Sequence, residues 1–274
     1  MNDKSGFQVA EVAPRYYESH VERFMTPFVD RLVAAAVNHG DAVLDVACGT
    51  GFAARAASVA TGLTGRVVGS DINSDMLAMA QSVPHSNGCE ISWQQASALE
   101  LPFNNAEFDA VVCQQGIQFF PGTAAGLQEM ARVIKPGGCL AVTAWAVREE
   151  SPYLDATFGM LSDRCDGDLA ANAKVFVHGG EAQVRGWFEM AGLGPVSIET
   201  IEALVALPTI AEYVPDHIRA LPPSSAGNFF DLSDDAQGEL LRALEDQLGD
   251  YRTDRGLEIP FCSYLAKTVI RDRC

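Results

Sequence analysis

The chain has 274 residues, of which 48% are hydrophobic, and its 36 acidic and 19 basic side chains give a net charge of −17. This composition predicts a folded protein with a buried core, and the acidic surface disfavours nucleic acid and anionic membranes as partners. The sequence contains no apolar run of about 18 residues and no basic start followed by an apolar stretch. We therefore expect a cytoplasmic protein without stable membrane insertion.

The seven cysteines follow no spacing typical of a metal or redox site. They stand at positions 48, 89, 113, 139, 165, 262 and 274. We expect reduced thiols that mostly pack as small hydrophobic side chains, and no bound metal.

The first forty residues contain one amphipathic helical pattern. Phe24, Phe28 and Leu32 recur at helical spacing, and the pattern ends near residues 38–40. We assign residues 1–40 to an N-terminal helical lid.

Beyond the lid, short apolar runs alternate with helical patterns. Lys135-Pro136-Gly137-Gly138 predicts a break between a helix over residues 124–133 and the last strand of this series. Strands that alternate with helices at this spacing pair in parallel and are covered by helices on both faces. The predicted strands lie at residues 42–46, 66–70, 91–93, 108–113 and 139–145.

The alternation weakens after residue 145. Residues 152–174 have an irregular helical pattern, and strand-like segments at 196–206 and 258–270 predict an antiparallel pair that closes the sheet. Between these segments, residues 207–250 are helical in pattern and interrupted by prolines, which predicts a helical substrate cap. The predicted fold is α/β: a doubly wound, Rossmann-like, seven-stranded, mostly parallel sheet with helices on both faces, antiparallel closing strands and a helical cap insertion. The predicted core comprises residues 41–206 and 251–274.

A glycine-rich loop follows the first predicted strand. Gly49 and Gly51 let the backbone approach a ligand closely at the carboxyl edge of the sheet. Together with Ala54 and with Asp71 about twenty residues on, they also fit a dinucleotide fingerprint, so the loop alone leaves two cofactor classes open. Asp45, inside the first strand, is costly to bury without a partner, and the ammonium of an amino-acid-like ligand would supply one.

Five segments taken together resemble a known family in order and spacing. They are VLDVACGTGFAARAA, GSDINSDMLAMA, SALELPF, FDAVVCQQGIQFFP and RVIKPGGCLAVTAW. They resemble the class I S-adenosylmethionine-dependent methyltransferases, and within these the ubiquinone/menaquinone C-methyltransferase-like family of small-molecule methyltransferases. The resemblance extends over about residues 16–145 and implies S-adenosylmethionine as cofactor and a small-molecule methyl acceptor.

The resemblance also implies a role for individual residues. Asp71 would hold the ribose hydroxyls, and Ile72 and Met76 would pack on the adenine. Ser97 stands where relatives usually carry an acidic residue that accepts a hydrogen bond from the adenine amino group. Gln114 would lie by the sulfonium. The implied cofactor-binding set is Tyr17, Ala47, Cys48, Gly49, Gly51, Asp71, Ile72, Met76, Ser97, Ala98 and Gln114.

In the glycine-rich loop, Gly49 and Gly51 would pass against the methionine part of the cofactor, and the carbonyls of Ala47 and Cys48 would lie near its ammonium. Tyr17 would fold over the cofactor as part of the lid.

A second group of residues is predicted to contact the acceptor. Phe119 and Trp145 follow or end strands at the carboxyl edge, and Leu204, Ile218 and Leu221 are apolar residues in or next to the cap. Ordinary core packing is the alternative for all of them. If they line the site, they indicate a hydrophobic or aromatic acceptor.

Three histidines are candidates for a catalytic base: His20, His178 and His217. The sulfonium already activates the methyl group, so in-line transfer needs a base only if the nucleophile must lose a proton. The sequence does not decide whether one is used.

Two other functions stay open alongside a methyltransferase. One is a methyltransferase-fold protein that binds the cofactor without catalysis. The other is a nicotinamide-dependent oxidoreductase, although the sequence lacks a Tyr-x-x-x-Lys pair, since Tyr264 and Lys267 are one residue too close. A homodimer is compatible with the sequence, and nothing in the sequence requires it.

Overall fold

The computed structural model describes residues 12–85 and 87–271. Residues 1–11 of the predicted lid, Ser86 and residues 272–274, with Cys274, lie outside the described residues. A π-helical segment, Tyr17–Val21, joins the first two helices. The α-helices are α1 (Ala13–Tyr16), α2 (Glu22–Ala36), α3 (Phe52–Thr61), α4 (Ser74–Ser82), α5 (Thr123–Val133), α6 (Pro152–Arg164), α7 (Leu169–Ala173), α8 (Gly180–Met190), α9 (Ile210–Arg219), α10 (Pro223–Ala226) and α11 (Asp234–Gln247). The strands are β1 (Ala42–Val46), β2 (Arg66–Asp71), β3 (Ile91–Gln95), β4 (Phe108–Gln114), β5 (Ile134–Trp145), β6 (Ser197–Leu207), β7 (Arg252–Thr253) and β8 (Gly256–Val269).

The strands form one sheet in the order β3-β2-β1-β4-β5-β8-β6, and the short β7 pairs with β8. Strands β1 to β5 pair in parallel, whereas β8 is antiparallel to both β5 and β6. The predicted α/β, Rossmann-like, mostly parallel sheet with antiparallel closing strands is thereby confirmed. The strand order reverses between β1 and β4, and ligands of open α/β sheets bind at the carboxyl ends of the strands at such a point.

The fifth strand begins five residues earlier than the sequence pattern predicts. Ile134 already pairs with Phe108, whereas Cys139 pairs with Ala110, so residues 135–138 form a bulge within β5. The amide of Gly137, in the left-handed region at φ +83°, donates to the carbonyl of Ile270 at 2.8 Å. The predicted break at residues 135–138 therefore lies within β5, and Ile270, the residue that follows β8, accepts its hydrogen bond.

Helix α2 is a core element rather than a lid. Phe24, Phe28 and Leu32 are at most 2% exposed, as their spacing predicts. The helix contacts α3 and strands β4, β5, β6 and β8. The predicted lid at residues 1–40 is therefore divided: Glu22–Ala36 packs on the sheet, and residues of Tyr17–Val21 reach the cavity described below.

The helices named here the cap helices, α6, α9 and α11, come from two chain segments, of which one lies within residues 207–250. Helices α9 and α11 pack on each other between β6 and β7, within the predicted cap at residues 207–250. Helix α6, which follows β5, contacts α10, α11 and β8. Apolar side chains of α2, α6 and α9 belong to one hydrophobic cluster. The irregular helical pattern at residues 152–174 thus corresponds to helices that pack against those of residues 207–250.

An acidic side chain, Asp45, is enclosed within the sheet. It is 0% exposed, and in the part of the chain that the structure describes neither carboxylate oxygen has a hydrogen-bond partner. Burial raises the pKa of Asp45 to about 8, and the nearby Asp71 carboxylate adds to the shift, while the Ala54 amide and the Arg55 guanidinium oppose it. The carboxyl group is therefore mostly protonated in the folded chain at neutral pH.

The core position of α2 predicts a large cost for shortening one of its buried side chains. Leu32→Ala should lower the free energy of unfolding by about 2–5 kcal/mol, because the cavity left in a packed core does not collapse fully. Arg31→Ala is the matched control on the same helix: its ion pair with Glu199 is half-exposed, so the cost should stay below about 1 kcal/mol. Equal, small losses for both variants in urea unfolding would mean that α2 is a detachable lid.

The raised pKa of Asp45 predicts a pH-dependent stability. Between pH 5 and pH 8 the unfolded chain has lost this proton and the folded chain retains it, so the contribution of Asp45 lowers the free energy of unfolding as pH rises. In Asp45→Asn this contribution is absent. The free energy of unfolding of the variant, relative to that of the parent, should therefore rise by up to about 4 kcal/mol from pH 5 to pH 8. Urea unfolding at both pH values measures it. A constant difference between the two proteins would show that Asp45 is ionised in the fold.

Candidate active site

A cavity opens at the carboxyl edge of the sheet, beside the switch in strand order. It encloses about 1170 Å³ of empty volume, part of which is open to solvent. Its wall is formed by the Tyr17–Val21 segment, α2, the residues that follow β1, β2, β3 and β4, the end of β5, and the cap helices α6 and α9. Residues of both predicted sets, those for the cofactor and those for the acceptor, line this one cavity.

At one end of the cavity, Asp71 fixes the loop that follows β1. The Gly49 amide donates to Asp71 Oδ2 at 2.8 Å, and the Asn73 amide donates to Oδ1 at 2.8 Å. Ala47 and Gly49 both have left-handed backbone angles, with φ +56° and +55°, which is uncommon for a residue with a Cβ. Burial raises the pKa of Asp71, while these amides oppose the shift. A carboxylate offers about four acceptor positions in all, so Asp71 can also accept from a ligand.

Two of the predicted cofactor residues, Cys48 and Gly51, shape this loop without lining the cavity. The Cys48 amide donates to the Ser70 carbonyl at 3.0 Å, and the Gly51 amide donates to the Cys48 carbonyl at 2.8 Å. Gly51 has φ +94°, and a Cβ there would lie 2.5 Å from the ring of Trp93. Glycine is therefore needed at this position for backbone conformation and for packing against Trp93.

The remaining predicted cofactor residues all line the cavity. Met76 is buried, Ile72 is 37% exposed, and the Ser97 hydroxyl oxygen accepts from the Leu99 amide at 3.2 Å. The Gln114 side-chain amide donates to the sulfur of Met25, a residue of α2, at 3.0 Å. The nine lining residues are Tyr17, Ala47, Gly49, Asp71, Ile72, Met76, Ser97, Ala98 and Gln114.

The other end of the cavity is apolar. Phe119, Trp145 and Leu221 line it, as predicted for acceptor contacts. Ile218 does not line it: the side chain is fully buried in the core beneath the cap. Leu204 is also wrongly predicted, since it is 63% exposed on β6. On α9 the cavity face includes His217, and Ile218 lies about 100° further round the helix, which explains why an apolar residue one position away points elsewhere.

Of the three candidate bases, His217 lines the cavity. His20 and His178 do not, so their predicted position in the site is wrong. His20 lies between Ser19 Oγ, 2.8 Å from Nδ1, and Asp216 Oδ2, 3.2 Å from Nε2. His178 is exposed, with Nε2 2.7 Å from the Ala173 carbonyl oxygen.

His217 is 2% exposed, and its Nδ1 lies 2.7 Å from the hydroxyl of Tyr153. Burial lowers the pKa of His217 to about 3, and the positive charge on His20 when protonated adds to this effect. The imidazole is therefore neutral at physiological pH. A base with so low a pKa removes protons poorly.

Several cavity residues were not predicted from the sequence. They come from α2 and from the segment after β5, where the sequence pattern indicated core or irregular structure. Gln115 also lines the cavity, with φ +54° and a side-chain amide that donates to Ser263 Oγ at 2.9 Å. The helical spacing of Phe24 was visible in the sequence, but it does not distinguish a core contact from a cavity wall. The unpredicted residues from α2, α6 and the chain before α8 are Phe24, Met25, Leu154, Phe158 and Val175.

Among the described residues, no group of three or more His, Cys, Asp or Glu side chains is placed to hold a metal ion. The cysteines of that part of the chain are free thiols. Within residues 12–85 and 87–271, no helix is both long and apolar enough to cross a membrane.

Comparison with known proteins identifies the part of the chain that contains the glycine-rich loop. A family model described as a methyltransferase domain matches residues 43–138, which include β1, the glycine-rich loop and Asp71. Rv1405c of Mycobacterium tuberculosis, an uncharacterised protein, is 30% identical over 247 residues, 88% of this chain and 87% of the relative. The ubiquinone/menaquinone biosynthesis C-methyltransferase UbiE of Chromobacterium violaceum is 38% identical over 126 residues, 45% of this chain and 52% of the relative.

Two solved structures illustrate the likeness in fold. A protein from an antibiotic biosynthesis pathway of Anabaena variabilis has a TM-score of 0.60 at 18% identity and covers 91% of this chain and 99% of its own. An S-adenosylmethionine-dependent methyltransferase from Aquifex aeolicus has a TM-score of 0.51 at 18% identity, over 72% of this chain and 94% of its own. The chain belongs to the class I S-adenosylmethionine-dependent methyltransferases, with S-adenosylmethionine as its cofactor.

Proposed function

We propose that the chain methylates a small hydrophobic or aromatic molecule that binds in the same cavity as S-adenosylmethionine. The observation that carries this proposal is that one cavity has two unlike ends. Asp71 and Gly49 provide hydrogen-bonding groups at one end, and Phe119, Trp145 and Leu221 provide an apolar wall at the other. A cofactor with a ribose and an amino acid suits the first end, and an apolar ring suits the second.

The residues of the polar end fit S-adenosylmethionine. Asp71 has lone pairs available for the ribose hydroxyls, and we assign it that role. Ile72 and Met76 offer apolar surface for the adenine, and the Ser97 hydroxyl is the polar group beside them for its amino group. The left-handed loop at Gly49 leaves room for the methionine part, since among the described residues other than its chain neighbours only Tyr17 lies within 4 Å of a Cβ built there.

S-adenosylmethionine supplies a methyl group that its sulfonium charge has already activated. The chain's own contribution is then to bind the acceptor, orient it and exclude water. Phe119 and Trp145 provide the surface against which a ring would be oriented, and Leu221 and α9 cover it. Because the pKa of His217 is lowered to about 3, we assign it no proton abstraction.

The relatives support a small cyclic acceptor. The Arabidopsis thaliana chloroplast protein named 2-phytyl-1,4-beta-naphthoquinone methyltransferase is 39% identical over 108 residues, 38% of this chain and 41% of the relative. Its name and that of UbiE both denote methylation in quinone pathways. These matches cover less than half of the chain, so the acceptor itself is assigned from the cavity rather than from them.

A panel assay with labelled S-adenosylmethionine tests the proposed function. The purified chain should transfer label to neutral ring compounds such as naphthols and reduced naphthoquinones. Aliphatic amines, a peptide and transfer RNA serve as comparison acceptors and should stay unlabelled. Transfer to the peptide or the RNA alone would refute the proposal. Binding of S-adenosylmethionine without transfer to any acceptor would favour a catalytically silent protein. Tighter binding of NAD than of S-adenosylmethionine would favour an oxidoreductase.

Removing the Asp71 carboxylate should weaken the cofactor site. Asp71→Ala removes acceptors for both the ribose and the Gly49 amide, so the affinity for S-adenosylhomocysteine should fall by about 1.5–3 kcal/mol or more in calorimetry. Asp71→Asn, which keeps one carbonyl oxygen and the shape of the side chain, should lose less. If both variants bind as the parent does, Asp71 is not part of the site.

Two nearby apolar residues, Leu221 and Ile218, allow acceptor binding to be distinguished from core packing. Leu221→Ala should change the KM or kcat for the acceptor while cofactor affinity stays within about threefold, because Leu221 lines the apolar end. Ile218→Ala, at a fully buried position outside the cavity, should instead cost about 2–5 kcal/mol of stability and leave acceptor KM nearly unchanged. Equal effects on acceptor KM would show that the cap has no defined cavity face.

A further inference from the structure

Two polar side chains are buried together at the apolar end of the cavity. Tyr153 of α6 is 0% exposed and His217 of α9 is 2% exposed, and the tyrosine hydroxyl lies 2.7 Å from His217 Nδ1. The rings of Phe24 and Phe261 enclose them, with centroids 5.5 Å from His217 and 5.8 Å from Tyr153. Buried polar groups in such surroundings are costly unless their hydrogen bonds are satisfied.

The pair determines which nitrogen of His217 carries the proton. Burial keeps both groups neutral, since it raises the pKa of Tyr153 and lowers that of His217 to about 3. The Tyr153 hydroxyl and Nδ1 lie 2.7 Å apart, and the tautomer of His217 decides which of the two donates. We assign the donor role to the hydroxyl, because the opposite tautomer would leave the proton of this fully buried hydroxyl to find another acceptor. A neutral imidazole that accepts at Nδ1 carries its proton on Nε2.

The Nε2–H group of His217 is available to donate a hydrogen bond to a ligand. Within the described chain it has no hydrogen-bond partner, and His217 lines the cavity. The neighbouring walls are apolar and are formed by Val21, Leu154 and Leu221. An acceptor atom of a ligand in this end of the cavity could therefore form a hydrogen bond with it, and such a bond contributes about 0.5–1.5 kcal/mol.

We propose that His217 Nε2–H donates a hydrogen bond to a neutral oxygen of the methyl acceptor, a ring carbonyl or a ring hydroxyl, and that Tyr153 positions this donor by fixing the tautomer. The inference rests on the proposed function and narrows the substrate class. A protonated amine has only donor groups and could not accept a hydrogen bond from Nε2–H. A carboxylate or phosphate would be buried opposite a neutral ring, without a cation to offset its desolvation.

Three probes with one ring skeleton test this inference: 1-indanone, indane and 1-aminoindane. Dissociation constants are measured for the full chain saturated with S-adenosylhomocysteine, whose own affinity reports that the variants are folded. In the parent, 1-indanone should bind more tightly than 1-aminoindane. His217→Phe keeps an aromatic ring but removes the donor, so the ratio of the indane to the 1-indanone dissociation constant should fall about tenfold.

Two further variants separate hydrogen bonding from shape. His217→Gln retains a side-chain N–H. Its ratio of the indane to the 1-indanone dissociation constant should reach at least a third of the parent value. Tyr153→Phe leaves Nδ1 unpaired and lets either nitrogen carry the proton, so the ratio should fall about threefold while indane affinity stays the same.

Several outcomes would overturn the inference. An unchanged ratio in His217→Phe would mean that no hydrogen bond is made. Loss of both indane and 1-indanone binding, with S-adenosylhomocysteine still bound, would mean that His217 acts by shape alone. Tighter binding of 1-aminoindane than of 1-indanone would show that Nε2 presents a lone pair. If indane and 1-indanone both fail to bind the parent chain, the proposed hydrophobic acceptor site fails with the inference, whereas equal binding of the two overturns the inference alone.

Discussion

The ring of Phe24 is the contact on which the rest of this structure depends. It stacks on Phe261 of β8 at 4.9 Å between centroids, and it lies 5.9 Å from Trp145 at the end of β5. It also contacts Tyr153 of α6 and His217 of α9, at 6.5 Å and 5.5 Å. One side chain of α2 thus joins the sheet to both segments of the cap. The apolar end of the cavity exists because these elements meet there.

The two ends of the cavity differ in how their residues are brought together. At the polar end, Asp71 contacts Gly49, 22 residues away, across the adjacent parallel strands β1 and β2. At the apolar end, Tyr153 and His217 are separated by 64 residues and lie on helices from different segments. The first arrangement follows from a strand-loop-helix pattern that the family shares. The second depends on how the cap packs in this particular chain.

This difference explains what could be predicted from the sequence. Local sequence signals predicted three features. Apolar runs indicated the parallel strands, closely spaced glycines indicated the loop, and an acidic residue at a strand end indicated Asp71. Leu221, just after α9, lines the cavity and Ile218 does not, because apolar character alone does not show which residues of this segment face the cavity. The helical spacing of Phe24 and Leu32 indicated burial but not that α2 packs on the sheet. The Tyr153–His217 pair had no local signal, since neither residue has a sequence neighbour that indicates its partner.

The π-helical segment Tyr17–Val21 contacts both ends of the molecule's ligand cavity. Glu18 pairs with Arg55 of α3 at 2.6 Å, next to the glycine-rich loop, and the carbonyl of His20 accepts from the hydroxyl of Tyr213 on α9. A displacement of this segment that opens the cofactor end therefore also strains its contact with the cap. These five residues therefore couple the end of the cavity beside the glycine-rich loop to helix α9.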